Sequence, residues 1–199
     1  MKRMAAVLLV IGLCGAALLA TLQHFAAPRI EQQRQVAAER ALLDLLPSGS
    51  YDNRPLQQPI ALPAGGLLGN ARNEQGYLAS LNGQPSAVLL PVTGKGYEGP
   101  IRLLVAITPD GQLLASKVLQ QQETPGLADL PAPERTSWLN GFTGKTVHDD
   151  AATWTLRADQ GQVDQIAGAT ITSRAVSDAL QRALRFFDAE RQRLLEAQP

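Results

Sequence analysis

Three hydroxyl side chains follow a turn of small residues in the stretch DQIAGATITSRAV. Thr170, Thr172 and Ser173 stand directly after Gly168 and Ala169. Helical spacing of apolar residues begins here, which predicts that a strand leads into this turn and that a helix starts with Thr172 or Ser173 as its N-cap. The first N–H groups of a helix lack intrahelical acceptors and attract anions. A phosphate site that includes both N-cap candidates is therefore one interpretation; from the local chemistry alone, an ordinary capped helix is the favoured one.

The helix that carries this turn has an apolar face. Val176, Leu180, Leu184 and Phe187 follow one another at intervals of four, four and three residues, which places them on one side. An apolar helix face has to be buried against another element. We predict that this last helix packs on a sheet.

The strands of that sheet are predicted from short apolar runs separated by turns after Gly76. SAVLLPV and IRLLVAI have strand character, and AITPDGQLLASKVL is two apolar runs joined through Asp110 and Gly111, which is typical of a hairpin. TWTLRA and QVDQIAG flank residues 159–161 and suggest a second hairpin. The prediction is an α+β fold, with an antiparallel sheet packed with helices.

The first part of the chain has a different pattern. Met4–Leu22 holds nineteen residues without charge, and at about 1.5 Å each they span a hydrocarbon core of roughly 30 Å. Lys2 and Arg3 favour a cytoplasmic N-terminus, with the rest of the chain on the far side of the membrane. A cleaved signal peptide is the alternative, but Phe25 stands where a cleavage site needs a small residue.

A helix and a linker are predicted between the membrane segment and the sheet. Charged and apolar residues alternate over residues 30–46 and stop at Pro47, and residues 47–73 are rich in Gly, Pro and Asn. The predicted divisions are 1–26 for the cytoplasmic start and transmembrane helix, 27–73 for the helix and linker, and 74–199 for the domain with the site.

Composition excludes several classes of function. Eighteen basic and eighteen acidic residues cancel, so no nucleic acid partner is expected. The single Cys14 forms no intrachain disulfide and no thiolate metal cluster. His148 precedes Asp149 and Asp150, but without a second histidine at ligand spacing a solvated loop is the favoured interpretation. No Ser, His and Asp stand in the context of a hydrolase triad.

The stretch DQIAGAT also resembles the flavinylation motif Asp-x-x-(Ser/Thr)-Gly-Ala-Thr of membrane respiratory subunits, whose last threonine carries FMN through a phosphoester bond. The resemblance implies that Asp164 is the motif acid, that Gly168 and Ala169 form the turn and that Thr170 is the acceptor. Ala167 stands where the motif has a hydroxyl residue.

Two further stretches, GKGYEGPIRLLVAI and QQETPGLADL, are similar to segments of the G subunit of the Rnf/Rsx electron transport complex. The C subunit of the sodium-translocating NADH:quinone reductase shares its FMN-binding domain. The resemblance implies that Tyr97 lies near the flavin, that Glu123 and Thr124 contact its polar edge and that Leu127 contacts its apolar ring. From the residues alone, Tyr97 is equally well a hairpin aromatic, and the ETPG segment is equally well a plain turn.

The function implied by this resemblance is that of a membrane-anchored flavoprotein subunit, with residues 74–199 as its FMN-binding domain. It transfers electrons through covalent FMN, coupled to ion transport or to reduction of a redox-sensing regulator, as part of a translocating oxidoreductase complex and not as an independent enzyme. The implied partners are the other subunits, a flavin transferase and the bacterial inner membrane, with the FMN domain periplasmic. The alternatives are a noncatalytic assembly module anchored in the membrane and a sensor that binds FMN noncovalently.

Overall fold

The apolar runs of the chain form neighbouring strands of one antiparallel sheet. The computed structural model describes residues 12, 44–126, 128, 130 and 133–196. Each strand pairs with the next along the chain, in the order β1-β2-β3-β4-β5. The strands are β1 (Pro59–Leu62), β2 (Glu74–Leu81), β3 (Gln84–Lys95), β4 (Pro100–Ile107) and β5 (Leu113–Gln120).

The helices follow the sheet in the chain, and short 3-10 turns lie before β1, between β1 and β2, and after the sheet. In the described residues the α-helices are α1 (Pro133–Asn140), α2 (Ala151–Trp154) and α3 (Thr170–Leu195). The 3-10 turns are η1 (Pro55–Gln57), η2 (Gly66–Leu68) and η3 (Arg157–Asp159).

The core lies between α3 and one face of the sheet. The four residues that predicted the apolar face of the last helix are all buried, which confirms that face: Val176, Leu180, Leu184 and Phe187. They belong to one cluster with alternate residues of β3 and β4, namely Val88, Leu90, Val92, Ile101, Leu103, Val105 and Ile107. Burial of each large apolar side chain contributes about 1.5 to 3 kcal/mol, so this face holds helix and sheet together.

Gly94 allows the start of α3 to lie directly against β3. A Cβ atom at this position would be 2.7 Å from the carbonyl oxygen of Ala175, a backbone atom that cannot move aside alone. The absence of a side chain at the end of β3 therefore fixes how closely the first turns of α3 approach the sheet.

The hairpin predicted around Asp110 and Gly111 is confirmed. β4 pairs antiparallel with β5 up to Ile107 and Leu113, and Gly111 adopts a positive φ of 88° in the turn. Glycine adopts this backbone conformation without the steric penalty of a Cβ atom, which is why the turn sits here.

The second predicted hairpin is wrong. Residues 151–163 form α2 and η3, and their only pairing of strand type is a single parallel bridge between Leu156 and Val163. The Thr155 hydroxyl donates to the Ala151 carbonyl oxygen at 2.8 Å, so the local backbone groups find partners within the turn. Threonine side chains compete with a strand ladder in this way.

Strand β1 lies inside residues 47–73, for which the sequence predicted a loop or linker. It is four residues long and starts at Pro59, so its pattern is too short to stand out from the surrounding turns. Ile60 and Leu62 are nevertheless buried in the main core, and Leu45–Pro199 clusters as one unit.

The predicted membrane helix Met4–Leu22, apart from residue 12, and the predicted helix of residues 30–46, apart from its last three residues, lie outside the described residues. Within the described part of the chain, no helix is both long and apolar enough to cross a membrane. The α+β class with its antiparallel sheet is confirmed.

Candidate functional site

A pocket of about 400 Å³ opens at the N-terminal end of α3. Its wall comes from the turn between β3 and β4, from the segment after β5 and from the loop that leads into α3. Its volume is in the range of small-molecule and cofactor sites. The lining residues are Tyr97, Glu123, Thr124, Ala128, Gly168, Ala169, Thr170, Ile171 and Thr172.

The structure thus brings most of the sequence-predicted site residues together, although they come from three separate segments. Ser173 and Asp164 do not line the pocket, and Leu127 lies outside the described residues. Ala128 and Ile171 line it without having been predicted.

The start of α3 presents unpaired backbone donors to this pocket. The N-cap residue is Ala169, which has no side chain able to accept a hydrogen bond. Among the described residues, the backbone N–H groups of Thr170, Ile171 and Thr172 have no acceptor. Such N–H groups, together with the positive end of the helix dipole, form a site for an anion.

The predicted N-cap at Thr172 or Ser173 is wrong, because the helix begins earlier, at Thr170. Gly168 has a positive φ of 77°, and the Ala169 N–H donates to the Ile166 carbonyl oxygen at 2.9 Å. This tight turn directs the backbone into the helix before either hydroxyl can act as a cap.

Ser173 fastens the turn to the helix. Its buried hydroxyl accepts from the Ile166 N–H at 2.9 Å and donates to the Ala169 carbonyl oxygen at 2.9 Å. Both hydrogen-bonding functions of this hydroxyl are therefore used inside the protein, on the side of the turn that does not line the pocket.

Asp164 lies on the surface, away from the pocket. Its carboxylate pairs with the Arg157 guanidinium at 2.9 Å, and both side chains are mostly exposed. The Trp138 indole N–H donates to the Asp164 carbonyl oxygen, which holds the backbone of the motif in place. An exposed ion pair of this kind contributes about 0 to 1 kcal/mol, so the carboxylate stays available to an approaching protein.

Glu123 is buried in the pocket wall, with only 4% of its surface exposed. Its carboxylate accepts hydrogen bonds from the backbone N–H groups of Tyr97 and Glu98, each at 3.2 Å, and from the Thr172 hydroxyl. The Thr124 hydroxyl donates to the Glu98 carboxylate beside it. The segment after β5 is thereby connected both to the β3–β4 turn and to α3.

Gly96 makes room for that carboxylate. A Cβ atom there would be 2.3 Å from Glu123 Oε1 and 2.8 Å from Ile101 Cδ1. The Gly96 N–H donates to the Gly99 carbonyl oxygen at 2.9 Å, which closes the turn that carries Tyr97.

Two apolar side chains stand exposed at the pocket. Tyr97 is 69% exposed and Ile171 is 48% exposed. Ile171 follows Thr170 directly and lies outside the buried stripe of α3 that begins at Thr172. The sequence contains a signal that could have identified Ile171 as a pocket residue. It is a large apolar residue that lies off the core face of its helix and next to the candidate acceptor.

A group of electrostatic contacts around Lys145 and Asp149 lies outside the pocket wall. Burial lowers the pKa of Lys145, which sits over the rings of Phe142 and Trp154, although the nearby Asp149 opposes this effect. Asp149 accepts from both the N–H and the hydroxyl of Thr146 at 2.9 Å, and the backbone hydrogen bond is the main cause of its lowered pKa. These contacts order the loop that contains His148.

Comparison with known proteins agrees with this geometry. Residues 96–185, which include every residue of the pocket wall, match the FMN-binding domain family. A crystal structure of NqrC from Shewanella oneidensis has a similar fold, with a TM-score of 0.50 and 24% sequence identity over 76% of this chain and 75% of that one. The likeness to NqrC shows the fold, and the family match places residues 96–185 in the class of FMN-binding domains.

Full-length relatives narrow this class to one family. The G subunit of the ion-translocating oxidoreductase complex of Pseudomonas aeruginosa is 46% identical over 197 residues, which cover 98% of this chain and 92% of that protein. The G subunit from Shewanella loihica is 36% identical over 181 residues, covering 90% and 85%. The chain belongs to the family of G subunits of ion-translocating oxidoreductase complexes.

Proposed function

We propose that this protein is the FMN-carrying, electron-transferring G subunit of an ion-translocating oxidoreductase complex. One observation carries the proposal: the domain that matches the FMN-binding family has a pocket at an uncapped helix N-terminus, with a threonine at the first position of that helix. Membership of the G-subunit family supports the assignment to a complex with other subunits.

The donor groups in the pocket fit FMN. The N–H groups at the start of α3 suit its phosphate, and Gly168 leaves space beside them. The exposed ring of Tyr97 and the exposed methyl groups of Ile171 offer apolar surface to the isoalloxazine. FMN would supply the electron-transfer chemistry, and the protein would place and tune it.

We assign the covalent attachment to Thr170. Of the three hydroxyls in this stretch, that of Thr172 donates to Glu123 and that of Ser173 is bonded to the turn. The Thr170 hydroxyl has no hydrogen-bond partner among the described residues, and its side chain is only half-buried. In the proposed ester its Oγ1–P bond replaces a bond from the FMN phosphorus to a leaving group of the donor nucleotide, and the hydroxyl proton departs.

A covalent link has a physical purpose on the far side of a membrane. Free FMN would be dilute there, whereas a tether keeps it at an effective concentration of about mM or more. The proposed partners are therefore a flavin transferase, which attaches the group, and the neighbouring redox subunits. Since the relatives are named for ion translocation, we favour that duty over reduction of a redox-sensing regulator.

The test is flavin fluorescence in a denaturing gel, with protein from cells that make the transferase. We expect a fluorescent band at the mass of the chain, no fluorescence in Thr170→Ala, and retained fluorescence in Thr172→Ser, which keeps the hydroxyl bonded to Glu123. A dark band for the protein without any substitution would rule out covalent FMN and favour a noncovalent sensor or an assembly module. A fluorescent Thr170→Ala would move the attachment to another residue.

A further inference from the structure

We infer that Glu123 is the positioning residue of the flavin pocket: it holds the turn that carries Tyr97 against the start of α3, and it acts through that turn more than by contact with the flavin. This inference rests on the proposed FMN function. It changes the role that the sequence resemblance implied for this side chain, which was contact with the polar edge of the cofactor.

The turn needs such an anchor because it extends beyond the sheet. The last paired residues of β3 and β4 are Lys95 and Pro100. Beyond them the turn is closed by one backbone hydrogen bond, from Gly96 to Gly99. The N–H groups at its tip point to the Glu123 carboxylate, which comes from a segment 25 residues further along the chain.

The same carboxylate reaches α3. Its Oε2 accepts from the Tyr97 N–H and also from the Thr172 hydroxyl, which is 1% exposed, while its Oε1 accepts from the Glu98 N–H. Three donors from two elements thus converge on one side chain. A hydrogen bond between buried partners is costly to leave unmade, so the turn and the helix start move together as long as the carboxylate is present.

The fit around the carboxylate is close. Gly96 lies so near that any side chain there would collide with Oε1, and Thr124 adds a second link to the turn through the Glu98 carboxylate. All three groups that face Glu123 are donors. A glutamine of the same shape would present an NH₂ group to at least one of them, which replaces an attraction by a repulsion.

The first experiment is amide hydrogen exchange on the full-length chain in a Thr170→Ala background, which carries no ester. We expect the Tyr97 and Glu98 amides to exchange about tenfold faster in Glu123→Gln, because the loss of one hydrogen bond of ordinary strength raises the equilibrium constant for local opening by about that factor. The amides paired within β3 and β4 should keep their protection. Unchanged exchange at both turn amides in a folded Glu123→Gln would overturn the inference.

Two further variants keep the result interpretable. Glu98→Gln removes the charge of an exposed side chain in the same turn but keeps an amide oxygen that can accept from the Thr124 hydroxyl, and both turn amides stay bonded to Glu123, so their exchange should stay as in the parent. Thr172→Val removes only the hydroxyl donor and should speed their exchange by less than Glu123→Gln does. If Glu123→Gln does not fold, unchanged exchange of the Tyr97 and Glu98 amides in Thr172→Val would be sufficient to overturn the inference.

The second experiment uses the flavinylated protein, with Thr170 intact. We expect Glu123→Gln to carry the fluorescent label but to show a shifted visible absorption band and a shifted midpoint potential, whereas Glu98→Gln matches the parent. If Glu123→Gln shows faster amide exchange but an unchanged absorption band and midpoint potential, Glu123 has only a structural role. That result would overturn its role in positioning the pocket around the flavin. Absence of flavin from the parent protein would refute the proposed function. The exchange result would still decide whether Glu123 holds the turn against the start of α3.

Discussion

At the scale of single residues, three neighbouring hydroxyls have three different environments. Thr170 has no partner among the described residues, Thr172 donates to Glu123, and Ser173 is bonded to the turn before α3. Their chemical types are nearly the same, so their partners decide which of them can carry a ligand. The proposed acceptor, Thr170, is the one of the three whose hydroxyl has no hydrogen-bond partner among the described residues.

Ser173→Ala should destabilise the protein. It removes a buried hydroxyl that both accepts and donates, which leaves the Ile166 N–H and the Ala169 carbonyl oxygen without that partner. The Ala169 carbonyl oxygen still accepts from the Ser173 N–H, but leaving the buried Ile166 N–H unpaired costs about 1 to 3 kcal/mol, and we expect a fall of this size in the unfolding free energy from denaturant titration.

Ser116→Ala is the matched control for that variant. The Ser116 hydroxyl is also buried but has no hydrogen-bond partner in the described part of the chain, so its removal should cost much less. Equal losses for the two variants would mean that the Ser173 hydrogen bonds contribute little to holding the turn.

At the scale of elements, α3 connects the pocket to the rest of the domain. Arg182 on this helix donates to the Leu67 carbonyl oxygen at 2.7 Å and to the Thr93 carbonyl oxygen at 2.8 Å. It thereby ties η2 and the end of β3 to the helix, and burial lowers its pKa. The position of α3 on the sheet is set by this guanidinium as well as by the apolar core.

Arg182→Lys should lower the midpoint of thermal unfolding. A guanidinium presents a rigid fork of donors, whereas one ammonium group cannot reach two separate carbonyl oxygens in the same way. We expect the free energy of unfolding to fall by about 1.5 to 3 kcal/mol, the contribution of one hydrogen bond from a charged donor. Arg185→Lys, an exposed arginine one turn along the same helix, should leave the midpoint nearly unchanged. A similar loss of stability in both variants would argue against a special role of Arg182 in holding η2 and β3 to α3.

At the scale of the whole molecule, the proposed arrangement is a membrane anchor at Met4–Leu22 followed by an FMN domain on the periplasmic side. The anchor is predicted from its uncharged length and from Lys2 and Arg3 before it. This placement would bring the pocket to the surface where neighbouring redox subunits can approach the exposed Tyr97 and Ile171.

A reporter fused after Pro199 tests this topology. An enzyme that is active only outside the cytoplasm should be active in the fusion, since the positive charges before the anchor favour a cytoplasmic N-terminus. A second fusion with a reporter that works only in the cytoplasm should be inactive. The opposite pair of results would contradict both the orientation and the periplasmic flavin.

The elements that the sequence predicted well are those with long periodic patterns. β3, β4, β5 and α3 follow from apolar runs, one Asp-Gly turn and one helical stripe, all of which are local signals. The short β1 was missed, and residues 153–168 were predicted as a hairpin although they contain the end of α2, η3 and turns. In these segments, contacts with the core and side-chain hydrogen bonds outweigh a weak local preference.

The amino-acid sequence by itself determined the class of fold, the apolar face of α3 and the short motif around Thr170, because periodicity and resemblance are properties of contiguous residues. The tertiary structure decided where that helix begins, which hydroxyls find hydrogen-bond partners and that the Glu123 carboxylate faces three donors. The three donors to Glu123 lie 25 to 49 residues away in the chain, and only the folded sheet and helix bring them within hydrogen-bonding distance.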